Sequence, residues 1–128
     1  MISKITVLQI HNSMIDVYGG IKGVRDLSVL ESAINRPFAT FDGVDLYPTA
    51  QHKSAAIFQS ILINHPFLDG NKRTAFALLV YILKSDYLTI TINEGEIYEF
   101  VISSSKGEKE FDDILKWIQI NSIKHDHS

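Results

Sequence analysis

The chain has 128 residues, of which 45% are hydrophobic and 21% are charged, a composition typical of one ordinary globular domain. Its net charge of −3 gives no chain-wide reason to expect nucleic acid as a direct partner, because nucleic-acid binders usually carry a basic face. The absence of cysteine excludes disulfides and thiolate chemistry. With neither a secretory signal nor an apolar run of roughly 20 residues, we expect a cytoplasmic protein without membrane contact.

Two helices are predicted before Pro37. Apolar side chains recur at helical spacing over residues 7–18, and the pair Gly19 and Gly20 is a typical signal for the end of a helix. Asp26 is a favoured N-cap for a second, shorter helix. This helix must end before Pro37, because the residue that precedes a proline disfavours helical backbone.

A change of pattern over residues 38–47 indicates a small exposed flap. Asp42 and Gly43 form a dipeptide that favours a tight hairpin turn, and the short segments on either side of it are able to pair. An irregular loop is equally compatible with this stretch.

The middle of the chain contains two strongly apolar helical patterns, over residues 49–64 and 74–84. A helix that is apolar on nearly every side belongs in the middle of a domain. Because only a short loop joins the two patterns, we expect a buried antiparallel helix pair, with that loop at a rigid and central position.

The pattern is less regular after the central helices. Residues 88–92 alternate between aliphatic side chains and threonine, which taken alone favours a strand, although a lone strand is marginal. Helical spacing then resumes around Phe100 and again around Ile114.

The end of the chain gives no sign of a packed element. We expect the domain to span residues 1–121 and residues 122–128 to form a disordered tail. A weak metal site at His125, Asp126 and His127 is the less favoured interpretation of this tail.

The most informative segment is HPFLDGNKR, residues 65–73, which joins the two central helices. If Asn71 caps the second of them, the free N–H groups of its first turn and the positive end of its dipole favour an anion. Gly70 lacks a Cβ and lets a phosphate approach closely, while Lys72 and Arg73 add the two side-chain types that hold phosphate oxygens best. A basic pair at a helix start is unfavourable without an anion, so we predict a phosphate site rather than a solvated surface pair.

The same loop contains a candidate metal ligand and a candidate proton acceptor. Asp69 can hold magnesium through one carboxylate oxygen, although a salt bridge to Arg73 is an equally supported role. His65 ends the preceding helix, and histidine is the side chain best suited to accept a proton from a hydroxyl at neutral pH. Two further histidines, His11 and His52, lie on helices and are expected at the core edge or the surface.

The string HPFLDGNKRTA resembles the signature of the Fic/Doc superfamily, and specifically of its death-on-curing (Doc) toxin branch. The YGG sequence at residues 18–20, the segment RDLSVLESAINRP that ends at Pro37, and the chain length are also similar to that branch. The resemblance implies a compact all-α domain of about six helices with a small flap. Because the implied fold is all-α, we follow the resemblance at residues 88–92 and set aside the strand that their alternation indicates.

The resemblance also implies roles for the loop residues. In the superfamily the histidine is the general base, the acidic residue binds magnesium (Mg2+), and the following loop and helix start hold the phosphates of ATP. On this chain those roles fall on His65, on Asp69, and on Gly70, Asn71, Lys72 and Arg73.

Two departures from the AMP-transferring members of the superfamily favour another reaction. Those members usually read GNGR followed three residues later by a second arginine, whereas this chain has Lys72 and Phe76 at the two positions. Doc-like proteins carry this lysine. The resemblance then implies magnesium-dependent transfer of phosphate from ATP to a threonine of elongation factor Tu, with His65, Lys72 and Arg73 as catalytic residues.

Two alternatives stay open, namely transfer of AMP to a protein and an inactive module whose role is to bind an antitoxin. Some superfamily members carry an internal inhibitory helix, and its sequence pattern is not recognisable in this chain. The resemblance therefore implies inhibition by a separate antitoxin protein.

Overall fold

The computed structural model describes residues 1–125, and six α-helices account for most of them. The helices are α1 (Lys4–Tyr18), α2 (Leu27–Asn35), α3 (Ala50–Asn64), α4 (Asn71–Lys84), α5 (Glu94–Ser105) and α6 (Phe111–Asn121), with a 3-10 turn at Arg36–Phe38. Four short strands complete the fold: β1 (Thr40–Phe41), β2 (Val44–Asp45), β3 (Leu88–Ile90) and β4 (Ser122–Lys124). The expected all-α architecture of about six helices with a small hairpin is confirmed. Within residues 1–125 no helix is both long and apolar enough to cross a membrane.

Four of the helices begin at a side-chain cap. In each, an oxygen of the residue before the helix accepts a hydrogen bond from the backbone N–H three residues on, which satisfies one donor of the first turn. The capping residues are Ser3, Asp26, Thr49 and Asn93. The predicted cap at Asp26 is therefore confirmed.

The predicted central helix pair is present as α3 and α4, which make the most extensive contact between any two elements of the fold. Six residues connect them, so they run in opposite directions. Ile57, Phe58 and Ile61 of α3 and Leu78 and Leu79 of α4 are fully buried. Burial of side chains of this size contributes about 1.5–3 kcal/mol each. The loop between the two helices is thus anchored at both ends in the best-packed part of the molecule.

The flap is a two-stranded antiparallel hairpin, in which β1 pairs with β2. Asp42 and Gly43 form its turn with φ angles of 50° and 75°, the two positive values that a tight hairpin turn of this kind requires. The hairpin prediction is confirmed, and the irregular loop is not adopted. Tyr47 holds the base of the flap, because its hydroxyl accepts a hydrogen bond of 3.0 Å from the Arg36 side chain.

Two predictions for the C-terminal part are wrong. Leu88–Ile90 is a strand, so the local alternation was the better guide there and the family-based override fails. Its partner is Ser122–Lys124, which was expected to lie in a disordered tail and instead pairs with it antiparallel. A short strand is stable only when its backbone groups are paired, and each of these two strands provides the pairing that the other needs. His125 extends this contact through its N–H to the carbonyl of Tyr87, whereas Asp126 and His127 lie outside the described residues.

Candidate active site

The loop from His65 to Gly70 changes direction through two residues in the left-handed region of backbone space. His65 has φ 48° and ψ 61° at the end of α3, and Gly70 has φ 71° and ψ 21° immediately before α4. A Cβ at Gly70 would lie 2.9 Å from Cδ1 of Ile15, so a larger residue there would require the end of the Ile15 side chain to shift. Because this loop packs tightly against α1, the position of the start of α4 is fixed.

The His65 side chain is exposed, and no group among residues 1–125 forms a hydrogen bond with its imidazole. Its backbone is held firmly, since its N–H donates to the carbonyl of Ile61 and its carbonyl accepts from Arg25. An imidazole that is free at both ring nitrogens and fixed at its backbone is suited to accept a proton from a group brought to it.

The Asp69 carboxylate is exposed and fixed in orientation by backbone donors. One oxygen accepts a hydrogen bond of 2.9 Å from the N–H of Gly70, and the other accepts one of 3.1 Å from the N–H of Ile21. The alternative salt bridge to Arg73 is not among the ion pairs of residues 1–125. Each oxygen keeps lone-pair capacity, so the carboxylate can still take a cation.

The side chains at this site are suited to hold a magnesium ion only when phosphate oxygens bind the same ion. In the described part of the chain no three histidine, cysteine or carboxylate side chains gather around one point that could hold a metal. Magnesium is commonly bound by one or two carboxylates, with phosphate oxygens and waters completing its octahedron, and Asp69 meets that requirement.

Asn71 does not cap α4, and that prediction is wrong. Gly70 occupies the N-cap position and Asn71 is the first helical residue. The Asn71 side chain turns back to the loop, where its Oδ1 accepts from the N–H of Phe67 at 3.1 Å and its Nδ2 donates to the carbonyl of Phe67 at 3.0 Å. Asparagine can form this closed pair because its amide is both donor and acceptor, so its side chain braces the loop.

The start of α4 nevertheless offers an anion site. The first helical hydrogen bond runs from the N–H of Thr74 to the carbonyl of Gly70, which leaves the N–H groups of Asn71, Lys72 and Arg73 without an intrahelical acceptor. Gly70 has no side chain with which to cap them. The free donors and the positive end of the helix dipole favour a bound anion there.

Lys72 and Arg73 are exposed beside these free N–H groups. Neither is in an ion pair with a carboxylate of residues 1–125. The Arg73 guanidinium carbon lies 4.1 Å from the centre of the Tyr18 ring, a cation–π contact that leaves the guanidinium outside the core. Two such cations at the positive end of a helix cost stability unless an anion is bound.

His11 lies directly beneath the loop, and the prediction that it sits at the core edge or surface is wrong. It is 1% exposed, stacks on the Phe67 ring with a centroid distance of 3.8 Å, and forms a 3.0 Å hydrogen bond through Nδ1 to Oγ1 of Thr74. Its Nε2 is buried without a hydrogen-bond partner. Burial lowers the pKa of the imidazole, and the negative charge of Asp69 opposes that shift only in part.

Residues 18–26, which we call the strap, form the second wall of the site. Val24 pairs with Phe67 in an isolated antiparallel bridge, and the N–H of Leu68 donates to the carbonyl of Gly23 at 3.0 Å. The approach is close, since a Cβ at Gly20 would lie 2.7 Å from Oδ2 of Asp69. The sequence analysis did not predict this wall, because it gave Gly19 and Gly20 no structural role beyond ending a helix. Gly20 was the available signal, since a residue without a Cβ lets the Asp69 side chain approach the strap closely.

Comparison with known proteins identifies the family. The sequence model described as the Fic/DOC family matches residues 2–83, a range that contains both the strap and the whole of the HPFLDGNKR segment. The chain is also 52% identical over 60 residues to a protein named Toxin Doc from Mycolicibacterium smegmatis (strain ATCC 700084 / mc(2)155). That alignment covers 47% of this chain and 46% of the relative, so the chain spans about half the length of the curated relative it matches. The family match covers well over half of the sequence, and this chain therefore belongs to the Fic/DOC family.

Proposed function

We propose that this chain is a Doc-type toxin of the cytoplasm that transfers phosphate from ATP to a threonine of elongation factor Tu and so stops translation. The observation that carries the proposal is the convergence, within residues 65–73, of a free imidazole, an oriented carboxylate and an uncapped helix start flanked by two unpaired cations. The family match and the name of the M. smegmatis relative support the toxin class.

His65 acts as the general base. It accepts the proton of the threonine hydroxyl while the threonine oxygen forms a bond to the γ-phosphorus. The bond between that phosphorus and the β–γ bridging oxygen breaks, and ADP leaves. A general base typically supplies about 10²- to 10⁴-fold of rate, so positioning and electrostatics must supply the remainder. In phosphoryl transfer those two contributions are the dominant ones.

The start of α4 holds the triphosphate. Its free N–H groups donate hydrogen bonds to phosphate oxygens, and the side chains of Lys72 and Arg73 neutralise the charge of those oxygens. Asp69 is the residue that would hold magnesium, which when bound adds positive charge at the phosphate oxygens. Because Asp69 and Arg73 do not form an ion pair with each other, the carboxylate and the guanidinium both remain available for the magnesium-bound nucleotide.

Two residues favour transfer of phosphate over transfer of AMP. Lys72 places a cation on the first turn of α4, where it can stabilise a transferred terminal phosphate. Phe76, one turn further along, is half-buried against the hydrophobic core and supplies no charge. The phosphate-binding charge is thus confined to the first turn of the helix.

The flap and a separate antitoxin complete the proposal. The hairpin is paired only with itself among the described residues, and Phe41 and Val44 on it are 70% and 68% exposed. An exposed hairpin edge can align the backbone of a protein substrate by adding a strand. Inhibition comes from an antitoxin protein that binds the toxin, and neither nucleic acid nor membrane is a partner.

The test is incubation of the purified chain with elongation factor Tu, magnesium and ATP labelled at either the α- or the γ-phosphate. We expect the γ-label on a threonine of the factor and no α-label. Transfer of the α-label would replace the proposal with AMP transfer. Failure to bind ATP with magnesium would instead leave a module that only binds an antitoxin.

A further inference from the structure

We propose that Arg25, on the strap, is a positioning residue that locks the backbone of the candidate base His65. The inference rests on the proposed function, in which His65 removes the proton of the target hydroxyl. The Arg25 side chain binds carbonyls at the end of α3 rather than the start of α4, and it acts on the reaction only through the histidine.

The contact is a fork of two short hydrogen bonds. Nε of Arg25 donates to the carbonyl of His65 at 2.6 Å, and a terminal nitrogen of the same guanidinium donates to the carbonyl of Asn64 at 2.6 Å. The last carbonyls of a helix have no intrahelical donors and carry the negative end of its dipole. A planar cation with parallel donors is the side chain that best satisfies two such neighbouring acceptors.

Arg25 binds the backbone of a residue, His65, whose conformation is intrinsically unfavourable. His65 has φ 48° and ψ 61°, a left-handed conformation that residues with a Cβ rarely adopt and that persists only where the surroundings enforce it. Since the backbone sets the direction of the Cα–Cβ bond of His65, whatever fixes the backbone also fixes the point from which the imidazole extends.

The backbone of the strap at Arg25 also binds this loop, and we call its contacts together with the guanidinium fork the clamp. Its own N–H donates to the carbonyl of Pro66 at 2.7 Å, and the N–H of Asp26 donates to the same carbonyl at 3.2 Å. The strap therefore binds three successive carbonyls, those of Asn64, His65 and Pro66. Arg25 is in no ion pair with a carboxylate within residues 1–125, so no such pair competes with the two carbonyls for its guanidinium.

The experiment compares phosphate transfer by Arg25→Gln, Arg25→Lys and Lys22→Gln with the unaltered chain, measuring kcat and the KM for ATP separately. Lys22 is the matched control, because it is an exposed cation on the strap whose partner is Asp16. We expect Arg25→Gln to lower kcat by about 10- to 100-fold, the scale of a misplaced reacting group, with the KM for ATP changed by less than about 2-fold. Arg25→Lys should recover part of kcat because it retains a cation at the helix end, and Lys22→Gln should behave as the unaltered chain.

Two results would overturn the inference. One is an unchanged kcat in Arg25→Gln, and the other is a loss of kcat matched by an equal loss of ATP affinity, which indicates general damage to the fold. If Arg25→Gln does not fold, Arg25→Lys decides the matter: a kcat below that of Lys22→Gln supports the clamp, and an equal kcat overturns it.

A second measurement separates this inference from the proposed function. In the absence of ATP, the NMR signals of the His65 ring carbons report its orientation whether or not the chain transfers phosphate. Arg25→Gln should shift or broaden those signals while Lys22→Gln leaves them in place. Unchanged His65 signals in Arg25→Gln would overturn the clamp, whereas absent transfer by the unaltered chain would overturn only the proposed function.

Discussion

The central carbon of the Arg73 guanidinium lies 4.1 Å from the centre of the Tyr18 ring, a contact that joins the start of α4 to the last residue of α1. Tyr18 is 56% exposed and Arg73 is also exposed, so the contact forms at the rim of the site rather than in the core. The aromatic ring limits where the arginine fork can reach.

Replacement of Tyr18 should therefore weaken ATP binding without unfolding the protein. A cation–π contact at an exposed site contributes about 0.5–1 kcal/mol, so Tyr18→Leu should raise the KM for ATP by roughly 2- to 5-fold, and Tyr18→Phe should not. Tyr98→Leu is the matched control, because Tyr98 is similarly exposed at 60% and lies on α5. An unchanged KM in Tyr18→Leu would show that the contact does not position Arg73 for the nucleotide.

Gly70→Ala should cost more stability than the same change at another glycine with a similar backbone. Gly70 and Gly107 have φ angles of 71° and 76°, so alanine pays a left-handed penalty of about 1–2 kcal/mol at either position. Only at Gly70 does the new methyl meet an obstacle, Cδ1 of Ile15 at 2.9 Å, whereas nothing lies within 4 Å at Gly107. We expect urea unfolding to show an additional loss of about 1 kcal/mol for Gly70→Ala, the lower end of overpacking costs. Equal losses at the two glycines would contradict the close packing of the loop on α1.

His11 should make the stability of the fold depend on pH. Its folded-state pKa is lowered by burial from the ordinary value of 6.5, so the unfolded chain takes up the proton first as pH falls. The stabilising contribution is present in full above about pH 6.5 and is lost below it, with a slope of at most about 1.4 kcal/mol per pH unit for one proton.

The measurement for His11 is the free energy of unfolding at several pH values between about 5 and 8. His11→Gln should remove the part of the slope that this histidine supplies. His52→Gln, which changes a histidine hydrogen-bonded to Thr49 at the other end of α3, should retain the slope. The same slope in His11→Gln and the unaltered chain would contradict the assignment.

Local chemistry made much of this structure predictable. The apolar patterns of residues 49–64 and 74–84 located the central helices, and Asp42 with Gly43 located the hairpin, because each signal acts between neighbours in the sequence. A candidate site could be proposed from the sequence for the same reason, since its imidazole, carboxylate and cations lie within nine consecutive residues.

The features that escaped prediction depend on contacts between distant parts of the chain. Leu88–Ile90 is a strand because Ser122–Lys124 pairs with it, and nothing near either segment reveals the other. The burial of His11 follows from the packing of α1 against α4, and the position of the strap follows from its bridge to Phe67. Asparagine is a favoured helix cap, but the side chain of Asn71 does not cap α4. It instead forms hydrogen bonds with both the N–H and the carbonyl of Phe67 in the loop.

The most direct test of the account is phosphate transfer to elongation factor Tu by His65→Ala at saturating ATP, with His52→Ala as the histidine control. Removal of the base should lower the rate by about 10²- to 10⁴-fold, while ATP affinity stays close to that of the unaltered chain because the phosphate groups bind at α4. His52→Ala should transfer phosphate normally. A His65→Ala chain that still modifies its target at the full rate would contradict the role of this histidine and with it the proposed chemistry.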